Sequence, residues 1–178
     1  ILVISTKTDM NDIEETFKNF ALVDEIETAC KLIRLGFGEI QNINHSNDFY
    51  FLPFQLLSQG FERFMKSYIC LGYYNLHNKY PELNYIKSLG HNLESLKDRI
   101  LNEYFDDQNK FYLMDDKRFL SSDPEFKQLL FILSEFGKIA RYHNYDIISG
   151  NHKPSVNPKE LWENFEREIL SKSDDMKY

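Results

Sequence analysis

The sequence predicts an all-α domain, an up-down bundle of four to five helices, on three grounds. Apolar residues recur at steps of three and four over long stretches, the period of one helix face. Only 7 Gly and 5 Pro interrupt 178 residues, which argues against a sandwich or barrel with many tight turns. Several Asp/Asn-Pro or Asn steps stand ahead of apolar runs, as at helix starts. At 42% hydrophobic and 28% charged residues, a core can form. The length fits a single domain spanning 1–178.

The first helix carries a stripe of Ile13, Phe17, Phe20, Val23, Ile26, Cys30, Ile33 and Phe37, expected to face inward. Asp12 with Glu15 three residues later reads as a capping box, and Gly36 and Gly38 read as its end. A polar loop is expected from Glu39 to Asp48. Pro53 suits the first turn of a second helix, whose stripe is Leu57, Phe61, Phe64, Tyr68 and Leu71, flanked by Met65, Ile69 and Leu76. At about 25 residues each, these two helices would run roughly 38 Å and pack as antiparallel neighbours. A third helix follows Asn92, with Leu93, Leu96, Ile100 and Tyr104 inward, and stops in 106–109. Residues 110–121 read either as a short irregular excursion or as a small hairpin.

Asp123 as cap and Pro124 at the first helical position start a fourth helix, with Phe126, Leu129, Leu130, Leu133, Phe136 and Ala140 inward. Asn157-Pro158 starts a fifth, burying Leu161, Trp162, Phe165 and Ile169. The tail 171–178 has nothing to bury and is expected to fray.

Composition excludes several functions. With a formal charge of −7, no global basic field draws nucleic acid. The charge is uneven: residues 1–50 hold 4 basic and 9 acidic groups, residues 51–100 hold 6 and 4. No apolar run approaches the roughly 20 residues of a membrane span, and the opening Ile1-Leu2-Val3-Ile4 is too short for a signal-peptide core. It lacks an initiator Met, so the true start is expected to be trimmed or upstream. Cys30 and Cys70 read as core filler rather than a disulfide, and the protein as cytoplasmic. The phosphate-cradling glycine loop, His-Glu-x-x-His, Cys-x-x-Cys and Gly-x-Ser-x-Gly motifs are all missing. His45, His77, His91, His143 and His152 show no metal-ligand spacing, so neither a metal nor a cofactor is implied.

Three features remain. Glu62 and Lys66 stand one helical turn apart in the favourable orientation, either as a plain surface pair or as part of a site. His91 precedes the cap Asn92, where it can hydrogen-bond a neighbouring helix end or take part in chemistry. Lys138, Arg141, Tyr142, His143 and Tyr145 cluster where the fourth helix ends. The cations there complement the helix dipole. They also form a phosphate-and-base platform, since Arg grips phosphate with a planar fork and aromatic faces accept a stacked base. His143 is the group in that cluster with an ordinary pKa near neutrality.

In order and spacing these features resemble the HEPN family (higher eukaryotes and prokaryotes nucleotide-binding domain). Glu62 and Lys66 match its Glu-x-x-x-Lys in the second helix, and His91-Asn92-Leu93 its His-Asp-Leu step. Ala140-Arg141-Tyr142-His143 resembles the Ala-Arg-Tyr-Pro segment of one branch. The match covers about 53–146. It implies a HEPN-like bundle, often a homodimer, working with an antitoxin or nucleotidyltransferase partner in toxin–antitoxin, defence or related systems. Catalytic members are metal-independent RNases in which an Arg is followed four to six residues later by a His, the His acting as base on the ribose 2′-hydroxyl and the Arg steadying phosphate. This chain departs from that pattern: one residue separates Arg141 from His143, and Lys138, with the right separation, is not a bidentate group. The expectation is therefore a non-catalytic module binding a nucleotide, an RNA end or a partner protein. The alternatives are an endoribonuclease toxin using Arg141 and His143, and a helical dimerisation scaffold without chemistry.

Overall fold

A computed structural model describes residues 2–43, 50–105, 112–138, 142–150 and 157–175, with backbone alone for 2–11, 143–144, 158 and 173–175. Among the described residues the regular structure is helical, with no strand. The helices are α1 (Leu2–Gln41), α2 (Phe51–His77), α3 (Leu83–Ser88), α4 (Leu93–Arg99), α5 (Leu113–Ser122), α6 (Pro124–Lys138), α7 (His143–Ile148) and α8 (Pro158–Asp175), with a π-helical turn, Ile100–Tyr104, continuing α4. The five helices expected from the sequence are all present. Three short ones lie between them, and α5 occupies most of the stretch 110–121, so the hairpin reading is wrong there.

The expected caps form at the starts of α4, α6 and α8. Asp123 Oδ1 accepts from the Phe126 N–H at 2.7 Å, Asn157 Oδ1 from Lys159 at 3.1 Å and Asn92 Oδ1 from Ser95 at 3.1 Å. Each satisfies an amide that the first helical turn leaves unpaired. At its other end α2 closes through Asn78, whose left-handed backbone (φ 52°) returns its N–H to Tyr74 O at 2.8 Å.

α2 is the central element. It packs on α1, α4, the π turn and α6, while α6 in turn carries α8. The core gathers Phe54, Leu57, Ile69, Leu93, Leu96, Leu130, Leu133, Phe136, Trp162 and Phe165. Its centre is aromatic: the Phe54 ring lies 5.6 Å from Phe136 and 5.5 Å from Trp162 between centroids, tilted rather than stacked. That geometry suits the ring quadrupoles.

The first helix departs most from expectation. It begins at Leu2, so Asp12 caps nothing, and Gly36 and Gly38 lie inside it. Gly36 is a packing residue: a Cβ there would meet Leu57 Cγ at 2.6 Å, so its absence lets α1 and α2 approach closely. The stripe facing α2 runs through Leu22, Ile26, Ala29, Ile33, Gly36 and Ile40, which are buried or half-buried. Of the expected stripe only Ile26 and Ile33 turn inward. Ile13, Phe17, Phe20 and Val23 are 50–69% exposed, Cys30 is exposed, and Phe37 touches Phe61 edge-on from a partly exposed position. Cys30 is therefore not core filler; Cys70 is half-buried, and burial pushes its thiol pKa up against the opposing pull of Lys66.

Three further differences are local. On α2, Phe64, Leu71 and Leu76 are exposed, while Phe54, Ser58 and Ser67 are buried instead. The polar loop begins only at Asn42; its residues 44–49, like Ala140 and the stop at 106–109, lie outside the described residues. The tail is helical to Asp175, and Lys172 Nζ reaches Glu125 at 3.1 Å, tying α8 to α6. Among the described residues no helix is long and apolar enough to cross a membrane.

Candidate functional site

Glu62 and Lys66 lie on one face of α2, and the pair does not stand alone. Gly90, at φ +66°, turns the chain between α3 and α4 in a conformation glycine adopts without strain. That turn brings His91 back against α2. Glu62 Oε1 accepts both from Lys66 Nζ at 2.8 Å and from His91 Nδ1 at 2.9 Å. The Glu62 and Lys66 side chains are about four-fifths buried, whereas His91 is 65% exposed. Burial alone would push the Glu62 carboxyl up. The hydrogen bonds and charges of Lys66 and His91 outweigh it and hold the group below its ordinary 4.5.

An ionised Glu62 accepts only, so Nδ1 of His91 must donate. In the neutral ring this leaves Nε2 with its lone pair, and both nitrogens donate when it is protonated. Beside His91 lies a recess of about 290 Å³ bounded by Ser88, Gly90, Asn92, Ser95 and Arg99. Arg99 is steadied by Glu103 at 3.2 Å and by the face of Tyr85, 5.8 Å from its centroid. Tyr85 in turn shares a 2.6 Å hydroxyl–hydroxyl bond with Tyr104, and burial, with that bond, drives the Tyr104 pKa upward.

This corner is joined to the end of α6. The Leu93 N–H donates to the buried Ser134 Oγ at 2.8 Å, fixing the head of α4 on α6. Ser58, one turn before Glu62, lies where a Cβ on Gly137 would come within 2.5 Å of its hydroxyl. Lys138 follows Gly137, is exposed, and reaches Glu135 at 3.5 Å. Beyond it Tyr142 and Tyr145 are exposed, 52% and 71%. Arg141 lies outside the described residues, as does the side chain of His143. The structure thus unites Glu62, Lys66 and His91, and places Lys138 about 6 Å, one helical turn, along α6 from the Ser134 contact.

Sequence reasoning missed Ser95, Arg99 and Ser134. The first two were within reach, one turn apart behind a recognised cap and so on one helix face. Ser134 sits mid-stripe among apolar neighbours and carries no such signal. Among the described residues no group of three His, Cys, Asp or Glu side chains could hold a metal ion. Compared with protein-family models, curated proteins and solved structures, the chain matches none.

Proposed function

We propose that the chain is a HEPN-like helical module that binds rather than cuts, holding a nucleotide or RNA end along the corner from His91 to the α6–α7 junction. The observation that carries it is the convergence of Lys66, from α2 itself, and His91, from the turn before α4, onto one carboxylate oxygen of Glu62. Lys138, one helical turn along α6 from the Ser134 contact, supplies a cation, and Tyr142 and Tyr145 supply exposed aromatic faces; Arg141 would add the phosphate fork. A toxin–antitoxin, defence or nucleotidyltransferase-associated setting in the cytoplasm, with an antitoxin or nucleotidyltransferase as partner, belongs to the same reading.

A titration with nucleotides and short single-stranded RNA tests it. Wild type should bind, and Arg141→Ala should weaken binding about tenfold or more, the worth of one charge-assisted hydrogen bond. Equal binding by both proteins, or none by either, removes the reading. RNA incubated with EDTA should stay intact; cleavage abolished by His143→Ala would favour the endoribonuclease alternative.

A second reading, a helical self-association scaffold, is favoured by the outward apolar residues of α1, Ile13, Phe17, Phe20 and Val23.

A further inference from the structure

α1 bears a second heptad stripe on the side away from α2. Ile13, Phe17, Phe20, Asp24, Glu27, Lys31, Arg34 and Gly38 follow one another at alternating steps of four and three, the spacing of a coiled-coil seam. All of them are exposed, as are the flanking Val23 and Leu35. Along this face the order is apolar, acidic, basic, then small. We propose that this face docks on the same face of a second copy of the chain, antiparallel, with the two-fold axis passing behind Ala29.

The reason is self-complementarity. In that register Asp24 lies opposite the partner's Arg34 and Glu27 opposite the partner's Lys31. Val23 meets the partner's Leu35, and Phe20 comes over the partner's Gly38, where even a Cβ would find nothing of its own chain within 4 Å. Because the contact is isologous, each pairing occurs twice. A parallel arrangement would set Asp24 beside Asp24 and Lys31 beside Lys31. Sliding the antiparallel pair by one heptad would set Asp24 against Glu27. Only one register opposes all four charges.

Charge also selects the occupant. The chain carries −7 overall, so two copies repel except across a locally neutral face. The centre of this stripe, with two acids and two bases, is such a face. The seam from 17 to 41 would run about 37 Å at 1.5 Å per residue, with the half-exposed apolar side chains toward its ends. Glu27 and Lys31 already pair within the helix at 3.6 Å, both more than 60% exposed, so exchanging that bond for one across the seam costs little.

The inference rests on the self-association reading and deepens it. Sedimentation equilibrium of the full chain tests it with two charge variants whose changes all fall on exposed positions. One carries Asp24→Arg and Glu27→Lys, the other Lys31→Glu and Arg34→Asp. Wild type should sediment at twice the 21.3 kDa of the chain. Each variant alone should be monomeric, its self-association weakened about a hundredfold by four opposed like charges. Mixed in equal amounts, the two should regain dimer mass, since every pair is then attractive. Unchanged helical circular dichroism shows that the variants fold. A dimeric wild type whose variants also remain dimeric alone overturns this face while leaving self-association standing. Dissociated variants that stay monomeric when mixed overturn the antiparallel register. A wild type monomeric throughout overturns both.

Discussion

Replacing Ser134 by Ala should cost far more than the loss of one hydroxyl on a helix usually does. Ser134 is 1% exposed, and its Oγ is the acceptor for the Leu93 N–H at 2.8 Å. Leu93 is the first residue of α4 and is itself 1% exposed, so water cannot replace the lost acceptor. A neutral hydrogen bond contributes about 1 kcal/mol net, but a buried donor left unpaired costs about 1–3 kcal/mol. Ser134→Ala should therefore destabilise the fold by about 2 kcal/mol, a fall of roughly 4–8 °C in Tm at this chain length. Urea unfolding followed by circular dichroism would show a lower midpoint at unchanged slope. Hydrogen exchange would show the Leu93 amide losing protection ahead of its neighbours. A change below about 0.5 kcal/mol, the usual scatter of harmless substitutions, would refute the reasoning, because it would mean that the Leu93 amide finds another acceptor without cost.

Gly60→Ala should destabilise despite the better helix propensity of Ala. The new Cβ would lie 2.7 Å from Ile33 Cγ1 and 3.0 Å from the Ile33 backbone nitrogen, and overpacking of about 1–3 kcal/mol exceeds the roughly 1 kcal/mol gained in propensity; a Tm some 2–4 °C lower is expected by differential scanning calorimetry. Glu62 should make stability pH-dependent in acid. Its carboxyl sits below 4.5 when folded, so its contribution is complete above the unfolded value and is lost as pH falls through the lowered folded one. Glu62→Gln should flatten that part of the urea-midpoint profile against pH, and an unaltered acid limb would contradict the assignment.

How much of this was legible in the sequence depended on whether a signal was local. The caps Asn92, Asp123 and Asn157 were readable because a side-chain oxygen and the amide it serves are two or three residues apart. The apolar stripes of α6 and α8 were readable from their spacing, although α6 also buries Ile132 outside its stripe. α1 has two, which share Ile26 and Ile33 at their margin, and bulk alone points to the wrong one. The structure buries the slimmer stripe because Ala29 and Gly36 let the α2 backbone come close, and closeness gains more dispersion contact than bulk held at a distance. For the same reason the glycines of α1 misled: Gly36 acts through its missing side chain, not through its freedom to end a helix. At the site, the Glu62–Lys66 pair follows from spacing, but the third member arrives from 29 residues away. Nothing in the local pattern of His91 could reveal that.

The glycine contacts also explain why the site would lie on α2. Gly36 and Gly60 bring α1 against it, Gly137 brings α6 to Ser58, and Gly72 receives the ring of Tyr104 from the π turn, each at a distance no Cβ would tolerate. These approaches come from three sides and bracket the turn that bears Glu62 and Lys66, so their backbone is fixed by packing before any side-chain bond forms. Binding groups need such support, because a side chain on a yielding segment spends interaction energy on being ordered. The N-terminal half of α1 has the opposite character. There it is linked by polar bonds, from Tyr74 of α2 to Glu15 and from Tyr80, just past the end of α2, to Asn19, and Ile13, Phe17 and Phe20 face out. If both proposals hold, a polar corner on α2 and a charged, apolar-ended seam on α1 keep ligand binding and self-association on separate surfaces. Substitutions on the outer face of α1 should therefore change mass without changing affinity at the His91 corner.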